Sequence, residues 1–384
     1  MDVEVKGYCD DQFTVVKEAF RKNFEDDLEV GSSFAATVDG RFVVDIWGGY
    51  ADEAMTRPWD KDTIANVYST TKNMASICTL MLVDRGLLDV DAPVVKYWPE
   101  FGQAGKEKIP VRYLLSHQSG VAGWDEPFPV EGLYDWDRMI KLLEKQEPMW
   151  EPGIQWGYHA LTFGYLLGEL VRRITGKTIG TFFREEVATP LNADFHIGVP
   201  EEVDHRVSKL IPPPMPKPGE PGSMVFDPDS VQGRVMMNPV NTAQTSWERA
   251  WRAAEIPAAN GHGNARSLAR VGAAMACGGE VDGVRLMGMT TIEKALEEQA
   301  YNTDPVTQLP VRYGLGFGLP SKENPLSPNP RTLYWAGWGG SMMVMDLDAR
   351  LSWGYAMNKM WDTGTSPIDT RTIEVVKSLY ASLA

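Results

Sequence analysis

Cysteine is scarce. The chain of 384 residues holds three, Cys9, Cys78 and Cys277. An odd number spread so far apart argues against a disulfide framework and fits a reducing, cytoplasmic setting. Cys78 falls among Ile77, Leu80 and Met81, the surroundings of a small core residue rather than a nucleophile. Basic residues are outnumbered: 37 Lys and Arg stand against 52 Asp and Glu, a formal net charge of −15. Such a surface repels phosphate backbones and anionic headgroups, so neither nucleic acid nor a membrane is an expected partner. No run approaches the roughly 20 apolar residues of a membrane helix. The opening MDVEVKGYCDDQF has neither the basic nor the apolar region of a signal peptide. The five histidines show no metal-ligand spacing, and there is no P-loop, dinucleotide fingerprint or G-x-S-x-G elbow. No metal and no cofactor are expected.

What is present is a globular composition, 43% hydrophobic and 23% charged, with thirteen tryptophans able to fill a core and line an apolar pocket. Phe13, Val16, Ala19 and Phe20 recur at helical spacing, which predicts a surface helix over 11–27. SSFAATVDGRFVVDIWGG then predicts a hairpin turning at Asp39-Gly40. From Ser69 the period becomes helical, with Met74, Ile77, Cys78, Met81 and Leu82 on one face and Gly86 as the stop. Further helices are predicted at 110–116, 135–146, 160–175, 178–187 and 264–277, so the middle of the chain reads as nearly all helix. Residues 211–222, IPPPMPKPGEPG, carry six prolines and cannot be regular structure; they suit a semi-rigid wall over a cleft. β-like runs return in YGLGFGLP, LYWAG, SMMVMDLD and LSWGYAMN before a last helix over about 368–383.

Strands at both ends with helices between predict an α/β fold. An antiparallel sheet flanked by the terminal helices would come from residues 1–66 and 261–384. The stretch 67–260 would form an inserted, mainly helical domain, with the ligand site in the cleft between them.

Three stretches carry candidate chemistry. Ser69 stands three residues ahead of Lys72 where a helix begins, and residues i and i+3 share a helix face. The pair is either a cap and a solvated lysine, or a nucleophile and its base beside unpaired backbone N–H groups. Tyr158, at a loop-to-helix junction, is either a packed aromatic or, beside a lysine, a group that shares a proton. Gly337, Trp338, Gly339 and Gly340 precede a β-run, where glycines mark a bulge or a close backbone approach.

In this order the three stretches resemble the serine β-lactamase and penicillin-binding-protein superfamily, in particular its class C-like branch and the family VIII carboxylesterases. Ser69-Thr70-Thr71-Lys72 matches the first motif, Tyr158 the tyrosine of the second, and Trp338-Gly339-Gly340 takes the place of Lys-Thr-Gly. YLLSHQSGV and LLDVDAPVVKYWPEF are also similar to that branch, and the likeness runs from about residue 10 to 380. The resemblance implies Ser69 as nucleophile, Lys72 and Tyr158 as its proton acceptors, and an oxyanion site from the N–H groups of Ser69 and Ser341. Ala160 replaces the asparagine of the β-lactamases and Trp338 their substrate-binding lysine, which favours a neutral small-molecule ester over a β-lactam. The expected activity is therefore that of a serine carboxylesterase acting on short-chain acyl esters. The alternatives are an acyltransferase, a weak β-lactamase or D-amino-acid peptidase, and a non-enzymatic penicillin-recognising sensor or structural protein.

Overall fold

The computed structural model describes residues 3–213, 226–361 and 369–383. The proline-rich stretch predicted as a cleft wall lies outside the described residues from 214 onward.

Nine antiparallel strands form the main sheet: β1 (Lys6–Cys9), β2 (Gly31–Val38), β3 (Arg41–Gly49), β4 (Ala300–Thr303), β5 (Pro310–Tyr313), β6 (Gly318–Leu319), β7 (Thr332–Ala336), β8 (Met342–Asp346) and β9 (Leu351–Met357). Their spatial order is β1-β3-β2-β9-β8-β7-β6-β5-β4. The predicted hairpin is β2–β3. Asp39 and Gly40 both have positive φ, 49° and 78°, as a tight primed turn requires, and Val38 faces Arg41. The two ends of the chain meet at β2 and β9, paired from Val38↔Leu351 to Ser32↔Met357.

Helices cover both faces. Successive strand residues point to opposite sides, and β9 shows it. Tyr355 lies under the Arg371 guanidinium at the start of helix α5 (Arg371–Ala381). Its neighbour Gly354 backs onto helix α4 (Ala265–Ala276), where a Cβ would stand 2.6 Å from Leu268 Cβ and 2.7 Å from the Ala265 carbonyl. Helix α1 (Thr14–Glu25) lies with α5, joined where Asn23 donates to the Arg371 carbonyl at 3.0 Å.

The middle of the chain departs from the helical expectation. Helices α2 (Thr71–Asp84) and α3 (Thr162–Thr175) form as predicted, with shorter ones at Val111–Leu115 and Trp136–Lys145. A second sheet runs through this region, in the order Phe195–Ile197, Gly261–Gly263, Ile64–Asn66, Val207–Ser208. These strands are two or three residues long, too short to show a period. The edge hairpin β4–β5 and the helix Met289–Leu296 were likewise not predicted.

Candidate active site

The small sheet delivers the nucleophile. Strand Ile64–Asn66 is followed by Val67, whose N–H donates to the Gly261 carbonyl at 2.9 Å. Tyr68 then takes a left-handed backbone, φ 40°, uncommon for a bulky residue. This sharp turn sets Ser69 just ahead of α2, partly exposed, while the surrounding residues are buried. Such local strain concentrates where the surrounding structure holds it for a purpose.

Lys72 lies one turn into the chain from Ser69 and is fully buried. Its Nζ makes three polar contacts: Ser69 Oγ at 3.0 Å, the Ala160 carbonyl at 2.8 Å and the Ala258 carbonyl at 2.9 Å. No carboxylate of the described residues pairs with it, and burial holds the amine well below the ordinary lysine value. A neutral amine has two N–H bonds and one lone pair. With two carbonyls taking the N–H bonds, the lone pair is left for the Ser69 hydroxyl.

Tyr158 closes the trio. Its hydroxyl donates to Ser69 Oγ at 2.6 Å, and Lys72 Nζ stands 4.7 Å from its ring centroid. Burial pushes the phenol up to about 12, against the opposing pull of Ser69 and Trp335. Lys72 and Tyr158 are thus both driven toward their neutral forms.

The structure brings Ser69, Lys72 and Tyr158 together as predicted, with Trp338 beside the turn that carries Ser69. The Trp338 side chain is 45% exposed and rests on Tyr68, ring centroids 5.0 Å apart. Gly339 and Gly340 shape the turn after it, with φ of 95° and 115°. A Cβ on Gly340 would stand 2.2 Å from Asp369 Oδ2, and the Gly339 carbonyl accepts from Arg371 Nη2 at 2.7 Å. Ser341 is buried, its hydroxyl donating to the Val67 carbonyl at 2.8 Å and 3.0 Å from Thr70 Oγ1, so it stitches β8 to the nucleophile's turn. Among the described residues, the N–H groups of Ser69, Trp338 and Ser341 meet no acceptor.

Residues that sequence reasoning missed surround Tyr158. Trp335, three positions before Trp338 on β7, brings its ring to 5.7 Å from Tyr158. Among the described residues its buried indole N–H has no partner at hydrogen-bonding geometry, yet it lies close enough to the Tyr158 hydroxyl to favour ionisation. His117 stacks on Phe163 at 4.7 Å and faces the Tyr313 hydroxyl at 3.1 Å through Nε2. Its Nδ1 accepts the His159 N–H at 3.0 Å, which places the ring proton on Nε2. Burial lowers the pKa of both histidines, that of His159 to about 4. Val235, Val306 and Ala122 pack with Met149, Trp150, Val231 and Ala160 as an apolar wall against Tyr158.

Lys72 is the one cation among the described residues that touches Ser69 or Tyr158. No described group of His, Cys, Asp or Glu is arranged to hold a metal ion, and no described helix is long and apolar enough to cross a membrane. A separate surface concavity of about 540 Å³, lined by Glu131, Tyr134, Asp135, Trp136, Asp137, Arg172 and Thr178, contains neither serine nor lysine.

A serine hydroxyl in contact with a buried amine and a phenol, on a chain whose nine-stranded antiparallel sheet is covered by helices, fits a serine hydrolase of the penicillin-recognising fold. The family model described as Beta-lactamase matches residues 20–376, and the chain belongs to that family. It is 36% identical over 332 residues to Esterase/beta-lactamase LipL of Mycobacterium tuberculosis (strain ATCC 25618 / H37Rv), a match covering 82% of this chain and 75% of that protein. Among solved structures, a family VIII carboxylesterase superposes with a TM-score of 0.91 at 41% identity, covering 99% of this chain and all of the other. A penicillin-binding protein homolog from Caulobacter crescentus superposes with a TM-score of 0.89 at 35% identity, covering 99% and 100% of the two chains.

Proposed function

We propose that this protein is a serine carboxylesterase that hydrolyses short-chain, uncharged acyl esters through an acyl-serine intermediate. The observation that carries the reading is the double contact at Ser69 Oγ, with Tyr158 at 2.6 Å and the buried Lys72 at 3.0 Å. Ser69 Oγ bonds to the ester carbonyl carbon as its proton passes to the lone pair of Lys72. The carbonyl oxygen takes the negative charge, stabilised by the Ser69 N–H and by an N–H of the 337–341 turn, Ser341 or Trp338. The tetrahedral centre collapses, the carbon–alkoxy bond breaks, and the alcohol leaves with a proton relayed from Lys72 through Tyr158. Water then attacks the acyl-serine, gives its proton to the same pair, and the acid departs as Ser69 recovers its hydrogen.

Two features support an ester over a β-lactam. The wall beside Tyr158 is apolar, with Trp335 packed on the Tyr158 ring, and Trp338 takes the sequence position where the β-lactamases carry a carboxylate-binding lysine. A partly buried carboxylate left without one costs roughly 1–3 kcal/mol, about tenfold to over a hundredfold in relative specificity. The name of the Mycobacterium relative carries both esterase and beta-lactamase, so the two activities belong in one assay. A panel of nitrophenyl esters beside nitrocefin, followed past the first turnover, is expected to show steady release from acetate or butyrate esters and little from nitrocefin. A burst that stops at one equivalent would indicate an acyltransferase lacking its acceptor, or a sensor. The acidic surface and three free cysteines support a cytoplasmic setting.

A further inference from the structure

Tyr158 sits in a stretch without helix or strand, between Trp150 and helix α3. No ladder of backbone bonds holds it. Instead, three successive N–H groups go to acceptors from elsewhere: Gly157 to the His117 carbonyl at 3.0 Å, Tyr158 to Asp304 Oδ1 at 2.9 Å, and His159 to His117 Nδ1 at 3.0 Å. The central acceptor comes from a residue 146 positions away, in the loop between β4 and β5.

Asp304 is fully buried and forms no ion pair with any described residue. Its oxygens accept four hydrogen bonds. Oδ1 takes the N–H of Tyr158 and that of Val306 at 3.1 Å; Oδ2 takes the Thr307 N–H at 2.9 Å and the Thr307 hydroxyl at 2.6 Å. The bonds to Val306 and Thr307 shape the loop that Asp304 itself belongs to. The bond to Tyr158 adds nothing to that loop. Burying a carboxylate is costly unless it is fully bonded, and here one of its four bonds reaches out of the loop to the backbone of the residue that touches the nucleophile.

We propose that Asp304 is a positioning residue for Tyr158, fastening the tyrosine's backbone to the edge loop of the main sheet so that its hydroxyl meets Ser69 Oγ. This rests on the reading that Tyr158 handles the Ser69 proton. A 2.6 Å contact tolerates little drift, and a misplacement of about 1 Å can cost roughly a hundredfold in rate.

The test is the rate at which Ser69 of the 384-residue chain is labelled by a fluorophosphonate, read by intact-protein mass spectrometry, with melting temperatures recorded for every variant. Asp304→Ala is expected to slow labelling by about tenfold to a hundredfold. Asp304→Asn keeps one oxygen for which Tyr158 and Thr307 compete, and is expected to fall between it and wild type. In a Tyr158→Phe background neither change is expected to slow labelling further, because losses transmitted through one residue do not add. A general weakening of the fold gives losses that multiply instead. Wild-type rates in the variants, or a loss in the Tyr158→Phe background as large as in wild type, overturn the proposal; should Asp304→Ala not fold, Asp304→Asn carries the same comparison. A wild-type chain labelled elsewhere than Ser69 overturns the reading of the site as well.

Discussion

At the scale of single residues, the position of Lys72 decides the chemistry. A buried amine between two carbonyls, with no carboxylate of the described residues paired to it, is worth more to the molecule uncharged, and an uncharged amine is a base. Activity should then rise with pH as Lys72 loses its proton and level off well below the ordinary lysine value of 10.5. No alkaline fall is expected until Tyr158, held up to about 12, ionises. A profile of kcat/KM against pH checks this, and a rising limb centred at the ordinary lysine value would sink it. Lys72→Ala and Tyr158→Phe should each lower turnover by at least about a hundredfold, the scale of a lost general base. The double variant should lose little more than the worse single one, since the two handle one proton. Near-wild-type turnover in Tyr158→Phe would reduce that residue to packing.

At the scale of elements, the close contact of β9 with α4 makes a quantitative prediction. Gly354→Ala places a methyl group 2.6 Å from Leu268 Cβ and 2.7 Å from a backbone carbonyl, where neither neighbour can swing away. Overpacking of this kind costs about 1–3 kcal/mol, so the melting temperature should drop while ester turnover at low temperature persists. An unchanged melting temperature would mean that α4 is free to lift from the sheet. The elements legible in the sequence are those with local signals: α2 through its apolar period, the β2–β3 hairpin through Asp39-Gly40, and β7 to β9 through their β-rich runs. The two-residue strand Val207–Ser208 has no period to read and exists because Ile64 and Ala65 lie beside it. Ser69, Lys72 and Tyr158 were legible because two stand three residues apart at a helix start and the third lies in the loop just before a helix. Trp335 was not: it and Trp338 share one glycine-rich run, and which of them meets Tyr158 depends on how the strand enters the turn. Asp304 leaves no local trace, because its partner is 146 residues away.

At the scale of the whole molecule, Arg371 gathers distant parts of the chain. Fully buried, it binds Asp369, the carbonyls of Gly339 and Lys359, and Glu29 Oε1 at 3.2 Å. Burial raises the Glu29 carboxyl from 4.5 to about 8 despite the arginine. Folded protein therefore keeps a proton on Glu29 that the unfolded chain releases above about 4.5. Stability from this group is complete below that pH and is lost as pH rises toward 8, at no more than roughly 1.4 kcal/mol per unit. Glu29→Gln, which cannot ionise, should flatten the decline of melting temperature between pH 5 and 8; parallel declines in the two proteins would refute the assignment. The pairing of β2 with β9 has another consequence, for synthesis on the ribosome. The edge that β2 offers is completed only by a strand translated more than 300 residues later. At about 5–20 residues per second that is a wait of roughly 15–60 s. Throughout it, the growing chain carries a paired hairpin with one open, apolar edge, a surface for chaperones to cover and for neighbouring nascent chains to join.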